Sequence, residues 1–273
     1  MLFVVTLPLP AGAEPPAGPD QPLAGPQGAV GQFVVNCDWS HTGTDDPIVH
    51  PGHSGVSHQH EFFGNVSTAA DSGYDSMIEA DTSCEQRLDT AAYWVPALYD
   101  REGDTVRPIG STAYYRAGAG VDPATVQPYP PALMIVAGRA DAMEEQPVTV
   151  VAWTCGSGGS REPRPPACVG PAGPRLLVTF PDCWNGADLD SEDHRSHVSY
   201  SHDWACDDEH PVPIPQLQFA VDYPVVDGDP SGLSLASGAT HTAHADFWNT
   251  WDQAKLDQEV ELCLVAQHVC GVS

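Results

Sequence analysis

Proline and glycine occur along the whole chain and limit the regular structures that it can form. Of the 273 residues, 27 are proline and 25 are glycine. Both residue types destabilise helix interiors, proline because it lacks the backbone N–H and glycine because it loses the most conformational entropy. The chain is therefore expected to form many short strands joined by turns, with few helices. Its length suits one large domain or two small ones.

Short runs of β-branched and aromatic residues, bounded by glycine or proline, are typical of strands. Such runs cover residues 33–37, 56–63, 91–100, 112–118, 132–138, 148–155 and 175–184. Residues 250–268 instead have helical spacing, because Leu256, Val260 and Leu264 recur every four residues. We therefore predict an all-β fold, a jelly-roll-like β-sandwich with long loops, few helices and one C-terminal helix.

The N-terminal residues are typical of an export signal followed by a linker. Residues 1–13 are an apolar run that ends in small residues, so we interpret them as a signal peptide whose positively charged n-region is missing, with cleavage after Ala13. A buried N-terminal strand is the alternative. Residues 14–30 are expected to be a disordered linker, and residues 31–273 a single domain. No other run approaches the roughly 20 apolar residues of a membrane span, so a secreted, extracellular protein is expected.

The eight cysteines point to disulfides. An even number of cysteines in an exported chain implies up to four bridges, although spacing alone does not fix how they pair. Short loops favour three pairs and leave a fourth: Cys155–Cys168, Cys183–Cys206, Cys263–Cys270 and Cys37–Cys84. Zinc binding by thiolates is the alternative, and it is weakened by the absence of any CxxC motif.

The chain is strongly acidic. It has 37 aspartate and glutamate residues against 10 lysine and arginine residues, a formal net charge of −27. Such a charge repels phosphate backbones, so no nucleic-acid partner is expected. It also disfavours strongly anionic substrates unless the few arginines are clustered at the site. We expect a monomer.

Eleven of the 12 histidines fall in three groups, and the groups are candidate sites. The first group contains His41, His50, His53, His58 and His60, the second His194, His197, His202 and His210, and the third His241 and His244. An isolated surface histidine usually has no chemical role, and we expect this of His41, His50, His202 and His268.

The second group is the densest and is the predicted catalytic set. It places Asp193, His194, Arg195, His197 and Tyr200 within eight residues. One helical turn would bring His194 and His197 together. β-Elimination from a uronic acid needs one group to neutralise the carboxylate, one to remove the α-proton and one to protonate the leaving oxygen; arginine, histidine and tyrosine can supply these roles. Alternatively, Arg195 and Tyr200 are structural and connect loops.

The first and third groups contain the predicted metal ligands. On a strand, His58 and His60 would share a face, as would His244 and Asp246. Together these four side chains could bind a divalent metal such as zinc, copper or calcium, and the set also suits non-haem iron. Alternatively, Asp246 does not touch the metal and orients one of the histidines.

Several ordered motifs between residues 33 and 263 are similar to one known family. They are DPIVHPG, SHQHEFFGN, YWVPALY, FPDCWNG, LDSEDHRSHVSY, HPVPIPQL and HADFWNTW. The chain resembles the uncharacterised secreted family called domain of unknown function nineteen-ninety-six. Members are sometimes joined to carbohydrate-binding or cell-wall-binding modules, so the resemblance implies a polysaccharide or cell-wall glycan as partner. It implies no catalytic residues, and the chain departs from the family pattern at Glu61, where we expect aspartate, and Thr250, where we expect glycine.

Three functions fit these observations. The first is a secreted carbohydrate-active enzyme, a lyase or hydrolase, that cleaves an extracellular or cell-wall polysaccharide with or without a metal. The second is a non-catalytic module that binds a glycan or a metal. The third is a structural secreted protein whose histidines join loops through hydrogen bonds. The first function requires the three histidine groups to meet in one cleft with Arg195.

Overall fold

The computed structural model describes residues 31–226 and 230–271. The predicted signal peptide (1–13) and linker (14–30) lie outside these residues. The described residues form sixteen strands: β1 Gln32–Cys37, β2 Trp39–Gly43, β3 His60–Gly64, β4 Ala92–Pro96, β5 Leu98–Tyr99, β6 Gly110–Arg116, β7 Met134–Gly138, β8 Val151–Cys155, β9 Pro174–Thr179, β10 Cys183–Trp184, β11 Val198–Ser199, β12 Val212–Pro213, β13 Gln216–Asp222, β14 Ser234–Leu235, β15 His244–Trp248 and β16 Val269–Cys270. The short helix α1 covers Tyr74–Met77, and α2 covers Gln253–Glu259.

Two large sheets contain most of the strands. One has the order β16-β1-β6-β13-β9-β8 and the other the order β2-β3-β4-β15-β7. Neighbouring strands are antiparallel except β1 and β16, which are parallel. The two sheets pack face to face, and one hydrophobic cluster contains inward-facing residues of both. The predicted all-β, sandwich-like fold with a C-terminal helix is confirmed.

Strand alternation decides which side chains enter the core between the sheets. In β6, Ala113 and Tyr115 are buried, whereas Tyr114 and Arg116 lie half-buried on the outer face. Across the interface, Phe219 of β13 stacks on Tyr93 of β4 with ring centroids 5.1 Å apart. The six-stranded sheet therefore follows the period-2 pattern of a sheet with one buried face.

The five-stranded sheet is buried on its outer face as well. Strands β3, β4 and β15 are buried at every position. On the outer face Phe62, Trp94 and Trp248 form a second apolar cluster with Ile48 and Met77, which come from the chain segments that cover this sheet. Polar side chains on this face are therefore enclosed, and each needs a partner.

All eight cysteines are paired, as the loop lengths suggested. The bridges are Cys37–Cys84, Cys155–Cys168, Cys183–Cys206 and Cys263–Cys270. Thiolate ligation of zinc is therefore wrong for this fold. Within residues 31–226 and 230–271, no helix has the length and apolar character that a membrane crossing requires.

The bounds of several predicted elements differ from the observed ones. The strand predicted over 148–155 begins at Val151, because the N–H of Val150 donates to the carbonyl of Pro147 in a turn. The strand predicted over 175–184 divides into β9 and β10. The predicted helix over 250–268 begins after Asp252, whose carboxylate accepts the N–H of Lys255 as an N-cap, and continues from α2 into a π-helical turn, Val260–Val265.

A buried hydrogen-bonded network crosses the core between the sheets. Asp89, which has no exposed surface, accepts the hydroxyl of Tyr93 at 2.8 Å and the N–H of Ala91 at 3.1 Å. The Tyr93 and Tyr115 hydroxyls are hydrogen-bonded, and Nε1 of Trp251 donates to the Tyr115 hydroxyl at 3.3 Å. Burial, which outweighs these hydrogen bonds, raises the pKa of the Asp89 carboxyl from 3.8 to about 8. The folded protein therefore holds a proton on Asp89 that the unfolded chain releases above pH 3.8.

This raised pKa predicts that Asp89 makes the fold less stable as the pH rises. Between about pH 4 and pH 8 the folded state binds one more proton at Asp89 than the unfolded state, so its contribution to the free energy of unfolding falls by up to about 1.4 kcal/mol per pH unit. Asp89→Asn has nearly the same shape and does not titrate. Denaturant unfolding with the disulfides intact measures the free energy of unfolding at pH 5 and pH 8. The contribution that falls as the pH rises should be present in the wild type and absent in the variant. Equal pH dependence in the two proteins would contradict a protonated Asp89.

Candidate functional site

The candidate site lies on the outer face of the five-stranded sheet. His60 begins β3, His244 begins β15, and β4 lies between these two strands. Asp246 stands two residues after His244 on β15, so these two side chains point to the same face. The strand predicted over 56–63 begins only at His60, and the chain that leads into β3 brings the ring of His58 beside that of His60. The sheet thereby brings together His58 and His244, which are 186 positions apart in the chain.

Three imidazole rings converge at this place. Nε2 of His58 faces Nε2 of His244 at 3.2 Å. The ring centroid of His58 lies 4.3 Å from that of His60 and 5.0 Å from that of His244. One ring nitrogen of each histidine lies within 4.8 Å of one ring nitrogen of the other two. The first and third histidine groups therefore meet.

Backbone carbonyls fix the orientation of two of these rings. Nδ1 of His60 donates to the carbonyl oxygen of Asp45 at 3.0 Å, and Nδ1 of His244 donates to that of Thr242 at 2.9 Å. With the proton on Nδ1, each ring keeps its lone pair on Nε2. Histidines that bind metals commonly make such a hydrogen bond through their other nitrogen, which fixes the tautomer and the ring orientation.

Burial favours the neutral form of all three imidazoles. It is the largest cause that lowers the pKa of His60, well below its usual value, with further lowering from His244 and His58. Burial also lowers the pKa of His244 to about 3 and brings the pKa of the half-buried His58 below the usual range. The neutral imidazole is the form that binds a metal.

Two buried carboxylates lie beside His60. One oxygen each of Asp46 and Asp246 and one ring nitrogen of His60 all lie within 4.8 Å of one another. Asp46 accepts the N–H groups of Ile48 and Val49 through Oδ1. Asp246 is only 1% exposed, and burial, followed by the nearby Asp46, raises its pKa well above the usual range.

Unpartnered buried atoms at this place fit a bound cation. Among the described residues, Nε2 of His60 and both carboxylate oxygens of Asp246 have no hydrogen-bond partner. A buried polar atom without a partner costs about 1–3 kcal/mol, and an unpaired buried charge costs more. A cation would give all three atoms a partner. Imidazole nitrogens and carboxylate oxygens are also the donors that zinc, copper and iron sites use.

A pocket of about 420 Å³ opens onto this cluster. Its lining unites residues from the three histidine groups: Asp46, His50, His58, Asp193, His194, Arg195, His244 and Asp246, together with Arg139 and Asp141. The cleft that leads to the cluster is therefore lined by both acidic and basic side chains. Such a lining offers hydrogen-bond donors and acceptors to a polar molecule.

His194 is the pocket residue best arranged for proton transfer. Its Nδ1 donates to the carboxylate of Asp190, with Oδ2 at 2.9 Å and Oδ1 at 3.1 Å. The His194 and Asp190 side chains are 25% and 28% exposed. Because Asp190 holds the proton on Nδ1, Nε2 is the nitrogen that can exchange a proton with a molecule in the pocket.

Asp193 shapes the turn that carries Arg195 into the pocket. Its Oδ1 accepts the N–H of Ser196 at 2.8 Å and the N–H of Arg195 at 3.0 Å, and these bonds, with that of Ser196 the largest cause, lower the pKa of Asp193. Nη1 of Arg195 donates to the carbonyl of Val136 at 3.3 Å. The guanidinium charge opposes, in part, the burial that raises the pKa of Asp246.

Two members of the predicted catalytic set do not line the pocket. His197 has no exposed surface; its Nε2 donates to the carbonyl of Met134 at 2.7 Å, and its Nδ1 contacts the hydroxyl of Ser191 at 2.9 Å. Tyr200 donates its hydroxyl to the carbonyl of Thr179 at 2.8 Å and borders a different groove. The helical turn expected to pair His194 with His197 does not form, because Asp193 closes a non-helical turn there.

Five residues at the site lie outside the predicted catalytic and metal-binding sets: Asp46, His50, Arg139, Asp141 and Asp190. His50 was expected to be an ordinary surface histidine, yet it lines the pocket. A usable signal existed for Asp46 and His50, because both lie in the DPIVHPG motif close to the histidine pair. The hydrogen bond of Asp190 to His194 spans four positions of an irregular loop, so no strand or helix periodicity marks it.

The comparisons with known proteins give a family and no characterised relative. No curated protein matches the chain, and no solved structure does. A family model described as "Domain of unknown function (DUF1996)" matches residues 46–251. This span contains His58, His60, His244, Asp246 and the turn with His194. The chain belongs to the DUF1996 family, as its ordered motifs predicted.

Proposed function

We propose that the protein is a secreted, metal-dependent enzyme that cleaves an extracellular polysaccharide. The convergence of one ring nitrogen each from His58, His60 and His244 beside an open pocket carries this proposal. Catalytic zinc sites commonly have three protein ligands and keep a further position for water or substrate. Four disulfides favour an extracellular location, because such bridges persist in oxidising compartments.

The donor set favours zinc or copper over calcium. Calcium takes six to eight oxygen ligands, whereas imidazole nitrogens suit zinc and copper. In our proposal His58, His60 and His244 bind the metal, and Asp246 either completes the ligand set or neutralises its charge. Asp46, which is buried next to Asp246 and His60, adds a second negative charge.

The pocket residues can divide the steps of a β-elimination among them. A divalent cation in this position would act as a Lewis acid towards an oxygen of the substrate. Arg195 would pair with the carboxylate of a uronic acid, and Nε2 of His194 would take the α-proton, with Asp190 stabilising the charged imidazole. The C–O bond to the leaving sugar would then break, and the departing oxygen would take a proton from water in the pocket. Asp193 positions the turn. We assign structural roles to His197 and Tyr200.

A non-catalytic metal-binding module is the second candidate. The observation that favours it is the number of donors, since Asp46 and Asp246 together with three histidines could fill the coordination shell and leave no position for a substrate. Such a protein would bind a metal as tightly as the enzyme would and turn over no glycan. Activity measurements therefore separate the two candidates.

The metal centre predicts stoichiometric binding that depends on His58 and Asp246. We expect about one zinc per chain, and removal of one ligand in His58→Ala should weaken zinc binding by at least about a hundredfold, since even outer-shell changes cost about 10–100-fold. Asp246→Asn, which keeps the shape and removes the charge, should also weaken it. Calorimetry and elemental analysis measure both effects.

His53→Gln is the matched control for zinc binding. His53 belongs to the same group but is exposed and does not line the pocket. The His53→Gln variant should bind zinc with the wild-type affinity. Equal zinc affinity in His58→Ala and the wild type would show that the three histidines are not the ligand set.

Burial of the histidines predicts that metal binding persists in mild acid. Three histidines with the ordinary pKa of about 6.5 would lose roughly a thousandfold in metal affinity between pH 7.5 and pH 5.5, because protons compete for each ring. The lowered pKa values of His58, His60 and His244 should remove most of this loss and leave mainly the competition of one proton for Asp246, at most about a hundredfold over two pH units. Zinc titrations at the two pH values measure it, and a full thousandfold loss would contradict the burial of these rings.

The enzyme proposal predicts cleavage that requires both the metal and His194. On a panel of acidic and neutral cell-wall polysaccharides, chelation should abolish product formation. His194→Gln should lower kcat by at least about a hundredfold, the usual contribution of a general acid or base. New reducing ends report any cleavage, and ultraviolet absorbance of an unsaturated sugar identifies β-elimination.

His53→Gln again serves as the control and should retain the wild-type kcat. Cleavage without an unsaturated product would indicate hydrolysis and remove the α-proton role of His194. Stoichiometric zinc with no cleavage of any glycan would overturn the enzyme proposal in favour of the metal-binding module.

A further inference from the structure

The outer face of the six-stranded sheet carries a groove, on the opposite side of the sandwich from the metal pocket. Two cavities of about 380 Å³ and about 290 Å³ share Arg116, Arg161 and Gln218. Arg116 and Gln218 stand on the neighbouring strands β6 and β13, and Arg175 of β9 lines the smaller cavity. The groove therefore crosses the strands and brings three arginines together.

This concentration of positive charge is unusual for the chain. Only 10 lysine and arginine residues stand against 37 acidic ones. Arg175 is paired with Asp222, with Nε 3.3 Å from Oδ1. In the described parts of the chain, Arg116 and Arg161 have no carboxylate within ion-pair distance. Two guanidinium charges thus face the groove without a counter-charge from these parts of the protein.

Neighbouring groups restrain Arg116 and Arg161, the two arginines without an ion pair. Nε of Arg116 donates to the side-chain oxygen of Gln32 at 2.9 Å, and its guanidinium lies 4.9 Å from the ring centroid of Tyr114. The loop with Arg161 is attached to β8 by two backbone hydrogen bonds of 2.8 Å between Trp153 and Glu162. The Cys155–Cys168 bridge closes the same loop. A held guanidinium loses little entropy when it binds a planar anion.

The rest of the larger cavity's lining mixes amide and hydroxyl side chains with apolar ones, among them Ala117, Pro147 and Val150. Gln216 and Gln218 of β13 and the hydroxyls of Thr149, Thr179 and Ser201 border the larger cavity. Nε2 of Gln218 donates to Oγ1 of Thr179 at 3.1 Å, which fixes the amide across the strands. Fixed amides and hydroxyls match the paired hydroxyl groups of a sugar ring, and the apolar side chains can pack against its C–H groups.

We propose that this groove binds a carboxylated polysaccharide, with Arg116 and Arg161 each pairing with a uronate carboxylate and the glutamine amides contacting sugar hydroxyls. The net charge of −27 opposes every polyanion, nucleic acid and polyuronate alike, so the attraction has to come from the locally clustered arginines. An acidic peptide would usually add to a free strand edge, but Glu162 already pairs with β8 and the groove crosses the sheet face instead.

The groove is independent of the proposed catalytic function. It shares no lining residue with the metal pocket. It would retain a glycan chain on the protein whether or not the pocket cleaves it. Tyr200, which the sequence placed among the catalytic residues, borders this groove.

Titration of the chelator-treated full chain with hexagalacturonate tests the proposal. We expect binding that weakens with salt, and Arg116→Gln and Arg161→Gln should each weaken it by at least about tenfold, the usual effect of losing a charge-assisted hydrogen bond. Arg164→Gln is the matched control, because Arg164 is exposed and already paired with Glu145. It should bind like the wild type.

Other probes and one further variant decide between this groove and the alternatives. A neutral glucan hexamer, a sulfated oligosaccharide and polyglutamate should all bind at least about tenfold more weakly than hexagalacturonate, because they lack either the carboxylate or the sugar. Binding lost in Arg195→Gln but retained in Arg116→Gln and Arg161→Gln would place the uronate in the metal pocket and overturn the proposal. Two other results would also overturn the proposal. One is that the folded wild-type protein does not bind hexagalacturonate, and the other is that any of the three other probes binds as tightly as hexagalacturonate.

Discussion

Burial of the five-stranded sheet on both faces is the constraint on which the candidate site depends. A sheet with one solvated face can leave histidine and aspartate hydrated, but β3, β4 and β15 have no solvated face. The covering chain segments therefore enclose His60 and Asp246 together with the apolar cluster around Phe62 and Trp94. Removal from water makes their unpartnered atoms unfavourable without a ligand, and it lowers the pKa of the imidazoles that would bind one.

The other large sheet shows what happens when the outer face stays open. The same alternation that buries Ala113 and Tyr115 leaves Tyr114 and Arg116 half-buried on the outer face, and arginine stays charged there without an ion pair because its ordinary pKa is so high. One sandwich thus offers two chemically different surfaces, a closed one with neutral imidazoles and an open one with arginines. The difference arises from what covers each sheet, since both sheets are built from similar short strands.

The sequence predicts what depends on local pattern and leaves out what depends on irregular loops. The prediction that His58 lies beside His60 is correct although His58 precedes β3 and is not placed by strand alternation, and short loops correctly suggest the disulfide pairs. Which strands lie next to each other is a long-range property, so local pattern alone does not establish that His58 meets His244. The turn at Asp193 has no periodicity at all: its side chain replaces helical hydrogen bonds, and as a result His194 and His197 point into different surroundings.

Charge balance explains why two carboxylates accompany three neutral imidazoles. A divalent cation held by the histidines alone would place two uncompensated positive charges in a buried site, which is unfavourable. Asp46 and Asp246 can supply two negative charges within reach of His60. Without a cation those charges repel each other, and burial together with Asp46 raises the pKa of Asp246 well above its usual range. A bound cation would favour the ionised carboxylate, so a proton and a metal compete for the same buried side chain.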